Sequence, residues 1–560
     1  MKAAANAKFS PSEAVDFAIV GSGAAGGVMA RELSRAGFRV VVFEQGPDVR
    51  EKDFQHNELK YIFQSAISND WKIEPNTFRQ TESEKARVQP ALLYGRCVGG
   101  SSVHFTGNFW RFHEIDFLER STVGPIAGAA LADWPITYAD LEPYYTRVDW
   151  EIGVSGAPGP FDPWRSKPYP LPPLEIKSSG ALLERGARKL GWHAQPAPMA
   201  ILSRDYRGRN ACVHCGYCES FGCEVGAKSS VLAAMIPEAE KTGRCEIRAN
   251  SYVREISTDA AGRATGVIYF DAQKREIFQK ANAVVLCANG AMTPRLLLLS
   301  KSSRFPGGLA NSSGLVGKYL MFNGAGLASG QFEYPLNEYK SAVVTRVLFD
   351  FYRLDPKLGL YGGGGIDLRL DMLPIVFALG GLPPDAPRWG AEFKAQLAQN
   401  FTRSVNSFGH TTSLPVETNS ISLDPDVKDA WGLPAPRVTY KDHPEDLKTA
   451  KFFQDRGLEL LQAAGARKVW PIPLPEQPFG VHLLGTCRMG NDPKTSVINT
   501  DHRTHDVPNL FLCDGSSLVT GGRGQPTMTI QALAFRAADR IIALAKRGEL
   551  GAVRAATRKG

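Results

Sequence analysis

The chain has 560 residues, 43% of them apolar, so it can bury a large core and is long enough to form more than one domain. Its 65 basic and 57 acidic residues give a formal net charge of +8. The sequence lacks dense basic runs interleaved with aromatic residues, which argues against nucleic-acid binding. No apolar run reaches membrane-spanning length, so we expect no direct membrane span.

The N-terminal segment from Met1 to Lys8 carries neither an apolar signal core nor a twin arginine. We therefore expect no export signal of the chain's own. From this segment we expect that the protein either stays in the cytoplasm or is exported together with a partner that carries the signal.

A short apolar run followed at once by glycines opens the folded part of the chain. Residues 16–20 are typical of a buried parallel strand, and Gly21, Gly23 and Gly26 come directly after it. In this spacing the first glycine permits a tight turn and the second lets backbone amides approach a pyrophosphate. The third allows the following helix to pack closely on the strand. The pattern predicts a dinucleotide-binding turn and a helix that ends near Gly37.

An acidic residue stands where a ribose would need it. Residues 39–43 form the next predicted strand, and Glu44 closes it, 23 positions after Gly21. At this position an acidic side chain binds the hydroxyls of the adenosine ribose. The order of strand, glycines, helix, strand and acid predicts a nucleotide cofactor.

A second glycine loop follows further along the chain. It contains Gly99, Gly100 and Ser101, and His104 and Asn108 come shortly after it. Consecutive glycines let a backbone come close to a ligand. We interpret this loop as one that lies along a flavin.

Four of the nine cysteines are crowded into twelve residues. They are Cys212, Cys215, Cys218 and Cys223, separated by two, two and four residues. Such spacings let a loop wrap its thiolates around an iron–sulfur cluster or, less commonly, a zinc ion. The alternative is a loop held by packing or by a disulfide, and the sequence leaves these interpretations open.

The second half of the chain contains two segments that alternate polar and apolar residues, at 341–348 and 419–423, and these predict antiparallel strands of a second domain. Residues 480–490 form a loop that carries His482. A cofactor site near one end of the chain and a histidine-bearing loop near the other indicate a flavoenzyme.

The C-terminal region is predicted to return to the N-terminal sheet. Residues 509–513 are an apolar strand too short to form a core alone, and Asp514 and Gly515 follow it. A helix is predicted from Thr527 to Lys546. Joining the N-terminal sheet would bring Asp514 towards the cofactor.

Four segments together resemble the glucose-methanol-choline (GMC) oxidoreductases. They are the first glycine signature, the Gly99–Gly100 loop, the His482 loop and residues 514–534, and the resemblance covers nearly the whole chain. It implies an α/β FAD-binding (Rossmann-like) domain plus an α+β substrate domain with an antiparallel sheet. Within the family, the His482 loop resembles that of pyranose oxidases. The cysteine loop resembles the FAD subunits of bacterial gluconate, fructose and glucoside dehydrogenases.

On this basis we predict a discontinuous FAD-binding domain made of residues 14–115, 205–325 and 478–548. Residues 116–204 and 326–477 form the substrate-binding domain and its connections.

The resemblance also assigns roles to individual residues. His482 matches the histidine that takes the hydroxyl proton as the hydride leaves, a role that suits an imidazole because its ordinary pKa is about 6.5. Gln525 stands where relatives have asparagine or histidine. Its amide can donate to and accept from hydroxyls but cannot act as a base. His104 lies near the position where several relatives attach the flavin covalently, whereas other relatives bind FAD without this link.

The resemblance implies an FAD-dependent dehydrogenase that oxidises a hydroxyl of a sugar, sugar acid or glycoside. Electrons would pass through a cluster in the cysteine loop to a small subunit and a cytochrome, and export with the partner would place the enzyme in the periplasm. An oxygen-using sugar oxidase of the pyranose-oxidase type is one alternative. An electron-transfer or assembly subunit, in which Gln525 marks lost catalysis, is the other.

Overall fold

The computed structural model describes residues 7–474 and 480–551. Most of the N-terminal segment that was analysed for an export signal lies outside these residues, and so does the predicted domain boundary at residue 478.

Strands and helices occur along most of the described chain and are numbered in chain order. The strands are β1 (Val15–Val20), β2 (Val40–Phe43), β3 (Thr77–Arg79), β4 (Arg87–Val88), β5 (Ala194–Pro196), β6 (Cys245–Arg248), β7 (Tyr252–Thr258), β8 (Ala264–Phe270), β9 (Glu276–Leu286), β10 (Ala325–Gln331), β11 (Arg346–Leu348), β12 (Ile366–Arg369), β13 (Ser404–His410), β14 (Ser420–Lys428), β15 (Pro434–Thr439), β16 (Lys468–Pro471) and β17 (Leu510–Leu512). The helices are α1 (Ala24–Arg35), α2 (Glu114–Phe117), α3 (Glu119–Val123), α4 (Tyr138–Ile152), α5 (Ser178–Leu190), α6 (Val231–Ala234), α7 (Ile236–Lys241), α8 (Asn289–Leu299), α9 (Pro374–Gly380), α10 (Gly390–Asn400), α11 (Pro444–Ala463) and α12 (Thr527–Lys546).

The first sheet is built around a parallel core. Strands β6, β2, β1, β9 and β17 pair in parallel in this order. The first half of β9 pairs instead with antiparallel β8, which continues to β7. Helices α1, α4 and α12 pack together beside this sheet. The side chains of β1 and β2 are buried throughout, and all of them except Asp16 are apolar, as expected of parallel strands covered on both faces.

Two predictions about this sheet are confirmed. The strand predicted at 509–513 joins it as β17, where Leu510 pairs with Val284 of β9. The helix predicted from Thr527 to Lys546 is α12.

A second sheet has six antiparallel strands in the order β16, β10, β13, β12, β11, β5. Helices α5 and α11 cover one face, where Ile366 and Leu368 join their apolar core. Asp367 and Arg369 alternate with these two residues along β12, so they point to the opposite face. The sheet therefore has one apolar face and one polar face, and the predicted fold class, with its antiparallel second sheet, is confirmed.

The alternating segments take up different positions from those expected. Of residues 341–348, only Arg346–Leu348 forms a strand, because the backbone of Ser341 donates to the carbonyl of His214 instead of to a neighbouring strand. Residues 420–428 form β14, but this strand belongs to a third sheet in the order β14, β15, β3, β4. That sheet joins residues 77–88 to residues 420–439. The domain boundaries stay a prediction.

No helix in the described ranges has the length and apolar character needed to cross a bilayer.

The close packing of α1 on β1 can be tested at Gly26. A Cβ at this position would lie 2.0 Å from the carbonyl oxygen of Gly21, which is backbone and cannot move aside cheaply. We expect Gly26→Ala to lower the free energy of unfolding by about 2–3 kcal/mol. Gly307→Ala, at an exposed position with open space around it, is the matched control and should change that free energy by less than about 0.5 kcal/mol. Equal stability of the two variants in denaturant titrations would contradict the packing.

Candidate active site

A cavity of about 360 Å³ lies between the first two sheets. On one side its wall is made by residues that follow parallel strands, including Gly21, Glu44, Ala288 and Asp514. On the other side, β12 and β13 contribute polar residues from the face that α5 and α11 leave uncovered. Ligands of open α/β sheets bind at the carboxyl ends of the strands, and the volume is within the usual range of ligand pockets.

Most of the predicted site residues line this cavity. Those that line the cavity are Gly21, Gly23, Glu44, Gly100, Ser101, His104, His482, Asp514, Gly515 and Gln525. Gly26, Gly99, Asn108 and the four clustered cysteines are not among the lining residues. Asn108 is buried, and neither polar atom of its amide has a partner in the described part of the chain.

The two glycine loops meet at the beginning of α1. Gly23, Ala24 and Ala25 line the cavity there, so the first backbone amides of the helix face it. Gly100 has a φ of +54°, and a Cβ on it would lie 2.7 Å from the Cα of Gly23. Free amides and the dipole at the start of a 12-residue helix suit a pyrophosphate. The geometry therefore fits a dinucleotide.

Glu44 is held rigidly at the end of β2. One carboxylate oxygen accepts from the backbone amide of Ser22 at 3.2 Å and from its hydroxyl at 2.7 Å, and the other accepts from the amide of Gly46 at 3.0 Å. Burial raises the pKa of this carboxyl, although these hydrogen bonds partly offset the effect. A carboxylate has about four lone-pair directions, so capacity remains for ribose hydroxyls.

Asp514 closes β17 and ties neighbouring strand ends together. Its carboxylate accepts from the Thr293 hydroxyl at 2.6 Å and from the backbone amides of Asn289 at 3.1 Å and Ser516 at 2.8 Å. Asp514 therefore fixes the start of α8 next to the end of β17, and both segments line the cavity.

His104 presents an unpaired ring nitrogen. Its Nε2 is buried and has no hydrogen-bond partner among the residues that the structure describes. Burial, followed by the charge of Lys228, lowers the pKa of His104 to about 4. A buried and unsatisfied nitrogen on the cavity wall is costly unless a ligand meets it. This position therefore fits a bound flavin.

His482 also lines the cavity, and its side chain is half-buried. Burial, together with the nearby His410, lowers the pKa of His482 to about 4. The imidazole is therefore neutral at pH 7, and a neutral imidazole has a lone pair that can accept a proton.

Gln525 is joined to residues that the sequence analysis missed. Its Nε2 lies 3.0 Å from Nδ1 of His410, whose Nε2 lies 2.9 Å from Oδ2 of Asp367. Arg369 pairs with the same carboxylate through two hydrogen bonds of 2.7 and 2.5 Å. The alternation at 366–369 could have indicated a strand with a polar face, but nothing in the sequence shows that this face meets Gln525.

The cysteine loop adjoins the cavity without forming a metal site. Among the described residues, no three His, Cys, Asp or Glu side chains are arranged to hold a metal ion, and the four clustered cysteines are free thiols. The loop nevertheless contributes Glu219 and Ser220 to the cavity wall. As arranged, the thiols do not fit the predicted iron–sulfur cluster or zinc ion.

The fold and the cavity together define a dinucleotide-binding enzyme. Family models described as GMC oxidoreductase match residues 15–321 and 415–534. The chain belongs to the GMC oxidoreductase family, as its sequence motifs predict. It is therefore an FAD-dependent oxidoreductase that acts on CH–OH groups, on alcohol or sugar-like substrates.

Two relatives match along nearly their full length. A 2-methyl-1,2-propanediol dehydrogenase of Mycolicibacterium austroafricanum is 37% identical, with 94% of this chain and 95% of the relative covered. The large subunit of a fructose dehydrogenase from Gluconobacter japonicus is 30% identical, with coverages of 95% and 98%. A solved structure of formate oxidase from Aspergillus oryzae matches with a TM-score of 0.69 at 15% identity, over 96% of this chain and all of that chain, which supports the fold.

Lys228 anchors the cysteine loop to the cavity wall, and this role can be tested. Its buried ammonium donates to the carbonyls of Phe105, Cys218 and Phe221. We expect Lys228→Met to lower the free energy of unfolding by about 3 kcal/mol or more, because three buried carbonyls lose a charged donor. The variant should also expose Cys218 to faster reaction with a thiol reagent. Exposed Lys241→Met is the control, and a Lys228 variant as stable as that control would contradict the anchor.

Proposed function

We propose that the protein is an FAD-dependent dehydrogenase that oxidises a hydroxyl group of a sugar, sugar acid or glycoside and passes the electrons to a partner protein or cytochrome. The observation that carries the proposal is the convergence of His482 and Gln525 with both glycine loops on one cavity. The two relatives are named as dehydrogenases of a diol and of fructose, which supports a hydroxyl compound as substrate.

The described residues suit the parts of FAD. We assign the pyrophosphate to the start of α1 at Gly21 and Gly23, and the adenosine ribose to Glu44. The flavin end would lie against Gly100 and His104, whose unpaired Nε2 offers a site for a covalent link. The chemistry supplied by bound FAD is acceptance of the hydride that leaves the carbinol carbon.

The protein's own residues handle the proton. His482 takes the hydroxyl proton of the substrate as the C–H bond breaks, so the alcohol becomes a carbonyl. His482 is neutral at pH 7 and can therefore accept this proton. Gln525 contacts the substrate but cannot act as a base, which leaves proton abstraction to His482.

The catalytic proposal predicts a pH profile. The pKa of His482 is lowered to about 4, so the base is free above that pH and becomes protonated as the pH falls. The rate of flavin bleaching by sugars under anaerobic conditions should therefore stay level from pH 8 to about 5 and fall through about pH 4. His482→Ala should slow bleaching at least about 100-fold at pH 7.

An inflection near pH 6.5 would contradict the role of burial at His482. If no sugar, sugar acid, glycoside or diol in a panel bleaches the wild-type flavin, the result would instead favour the electron-transfer or assembly subunit. Loss of FAD from His482→Ala, checked by absorbance, would show that the substitution acts through cofactor binding.

Electrons are proposed to leave beside the cysteine loop. Glu219 and Ser220 bring this loop to the cavity, and Lys228 ties it to Phe105, which also lines the cavity. The relative from Gluconobacter is named as a large subunit, which supports a partner subunit here. A partner that carries an export signal would place the enzyme in the periplasm. We derive no electron step through a metal cluster, because the thiols do not form a site for one.

The choice of acceptor can be measured directly. With a sugar that bleaches the flavin, we expect a quinone or dye acceptor to be reduced at least about tenfold faster than oxygen is consumed. Rapid peroxide formation would favour the sugar oxidase instead.

Iron analysis and electron paramagnetic resonance on the same holoenzyme test whether the cysteine loop holds an iron–sulfur cluster. Iron with a signal that changes as the flavin bleaches would restore the cluster hypothesis, and iron-free bleaching would leave the loop as structure.

A further inference from the structure

A hydrogen-bonded chain of side chains links the six-stranded sheet to the substrate end of the cavity. It runs from Asp367 on β12 through His410 on β13 to Gln525. His410, Gln525 and Arg369 all line the cavity. Asp367 is buried behind them and is held by Arg369. These side-chain contacts are not part of the sheet itself, because β12 and β13 pair through their backbones.

The charge on Asp367 decides which nitrogen of His410 carries the proton. Arg369 keeps the carboxylate ionised and lowers the pKa of Asp367 to about 2, against the effect of burial. Nε2 of His410 lies 2.9 Å from Oδ2 of Asp367 and 3.1 Å from a guanidinium nitrogen of Arg369. An ionised carboxylate only accepts hydrogen bonds, so the shorter contact favours a proton on Nε2. Burial lowers the pKa of His410, which keeps the ring neutral and leaves a lone pair on Nδ1.

The tautomer of His410 in turn orients Gln525. An unprotonated Nδ1 needs a donor, and the Gln525 amide nitrogen lies 3.0 Å from it. With the amide nitrogen turned to His410, Oε1 is the end of the amide left for the cavity. An amide oxygen is a hydrogen-bond acceptor only. Contact between Oε1 and the oxygen of the reacting hydroxyl is unfavourable, because that oxygen gains negative charge as its proton passes to His482.

We propose that Asp367 and His410 are positioning residues that hold Oε1 of Gln525 towards the substrate, and that this oxygen accepts from a second hydroxyl next to the one oxidised. The proposal rests on the proposed function and narrows its substrate class to neutral compounds with neighbouring hydroxyls, such as vicinal diols and sugars.

The charges on the cavity wall support a neutral substrate. Within the described lining, the two arginines are Arg369 and Arg295, and each is paired with a buried aspartate, Asp367 and Asp429 respectively. Neither guanidinium is therefore a free cation for the carboxylate of a sugar acid. A hydroxyl bound by an amide acceptor also gives strong selection, because an analogue without it leaves a polar group unpaired.

The hydrogen-bonded chain from Asp367 through His410 to Gln525, called the relay below, predicts that the Gln525 amide turns over in Asp367→Asn. Without the carboxylate, Nε2 of His410 can accept from Arg369, whose nitrogen already lies 3.1 Å away. The proton then moves to Nδ1, Gln525 turns its oxygen to His410, and the amide NH₂ group faces the cavity. Asn differs from Asp by little in shape, so the change alters hydrogen bonding and charge without removing side-chain volume. Because it also leaves Arg369 without its carboxylate, the control must remove the carboxylate partner of another arginine.

The test compares matched substrates with an artificial dye as acceptor. The pairs are D-glucose with 2-deoxy-D-glucose, and 1,2-propanediol with 1-propanol. We expect the ratio of kcat/KM within a pair to fall roughly tenfold in Asp367→Asn and in Gln525→Met, through the loss of one hydrogen bond. The double variant should show no further fall, because both changes remove the same contact. Asp424→Asn breaks another arginine–aspartate ion pair, between buried Asp424 and partly exposed Arg437, away from the cavity, and should keep the wild-type ratio.

A second readout does not depend on activity. Nitrogen-15 spectra of the histidine rings in the FAD-loaded enzyme, assigned by comparison with His410→Gln, report which ring nitrogen is protonated. We expect Nε2 in the wild type and Nδ1 in Asp367→Asn. A wild-type ring protonated on Nδ1 would overturn the relay. A preserved substrate ratio in both variants would overturn the role of Gln525 in recognising the second hydroxyl. Oxidation of no alcohol at all would sink the proposed function, while the spectra would still decide the relay.

Discussion

The parallel pairing of β9 with β1 on one side and β17 on the other is the constraint on which the site depends. Parallel strands point their carboxyl ends to one edge, so residues far apart in the chain are brought to the same wall. Gly21, Ala288 and Asp514 meet in this way. The hydrogen bonds of Asp514 then lock two of these strand ends together. Loss of this pairing would separate the nucleotide end of the cavity from its C-terminal wall.

The six-stranded sheet supplies the other half of the site because one of its faces is apolar and the other is polar. One face is apolar and packs on α5 and α11, and the other places charged groups in the interior. Isolated charges there would be costly, but Asp367 and Arg369 neutralise each other and hydrogen-bond His410. The Asp367–Arg369 pair thereby places polar groups at the cavity without a net charge of its own, which is the electrostatic basis of the proposed preference for neutral hydroxyl compounds.

The cysteine loop and the active site share one structural support. Lys228 is buried among backbone carbonyls from both the loop and the segment after His104. A change in the loop would therefore act on the cavity wall through this lysine. Its charge also contributes to the lowered pKa of His104, so loop and cofactor wall are coupled electrostatically as well as by packing.

The nucleotide end of the protein could be predicted from its amino-acid sequence. Its signals are local: the glycines from Gly21 to Gly26 and the acid at Glu44 belong to one strand, helix and strand unit, where the spacing along the chain sets the geometry. The last strand and helix were predictable from their own apolar patterns, whereas the role of His482 was assigned only through the resemblance to the GMC family and stays a prediction. Tertiary structure decided the rest. His410 and Asp367 lie on strands without a motif, and their meeting with Gln525 depends on how two sheets pack, a long-range property that alternation cannot show. The cysteine spacing predicts a metal site, but ligation depends on how the side chains are arranged, and among the described residues they form no such group; the backbone of the loop is held by Lys228.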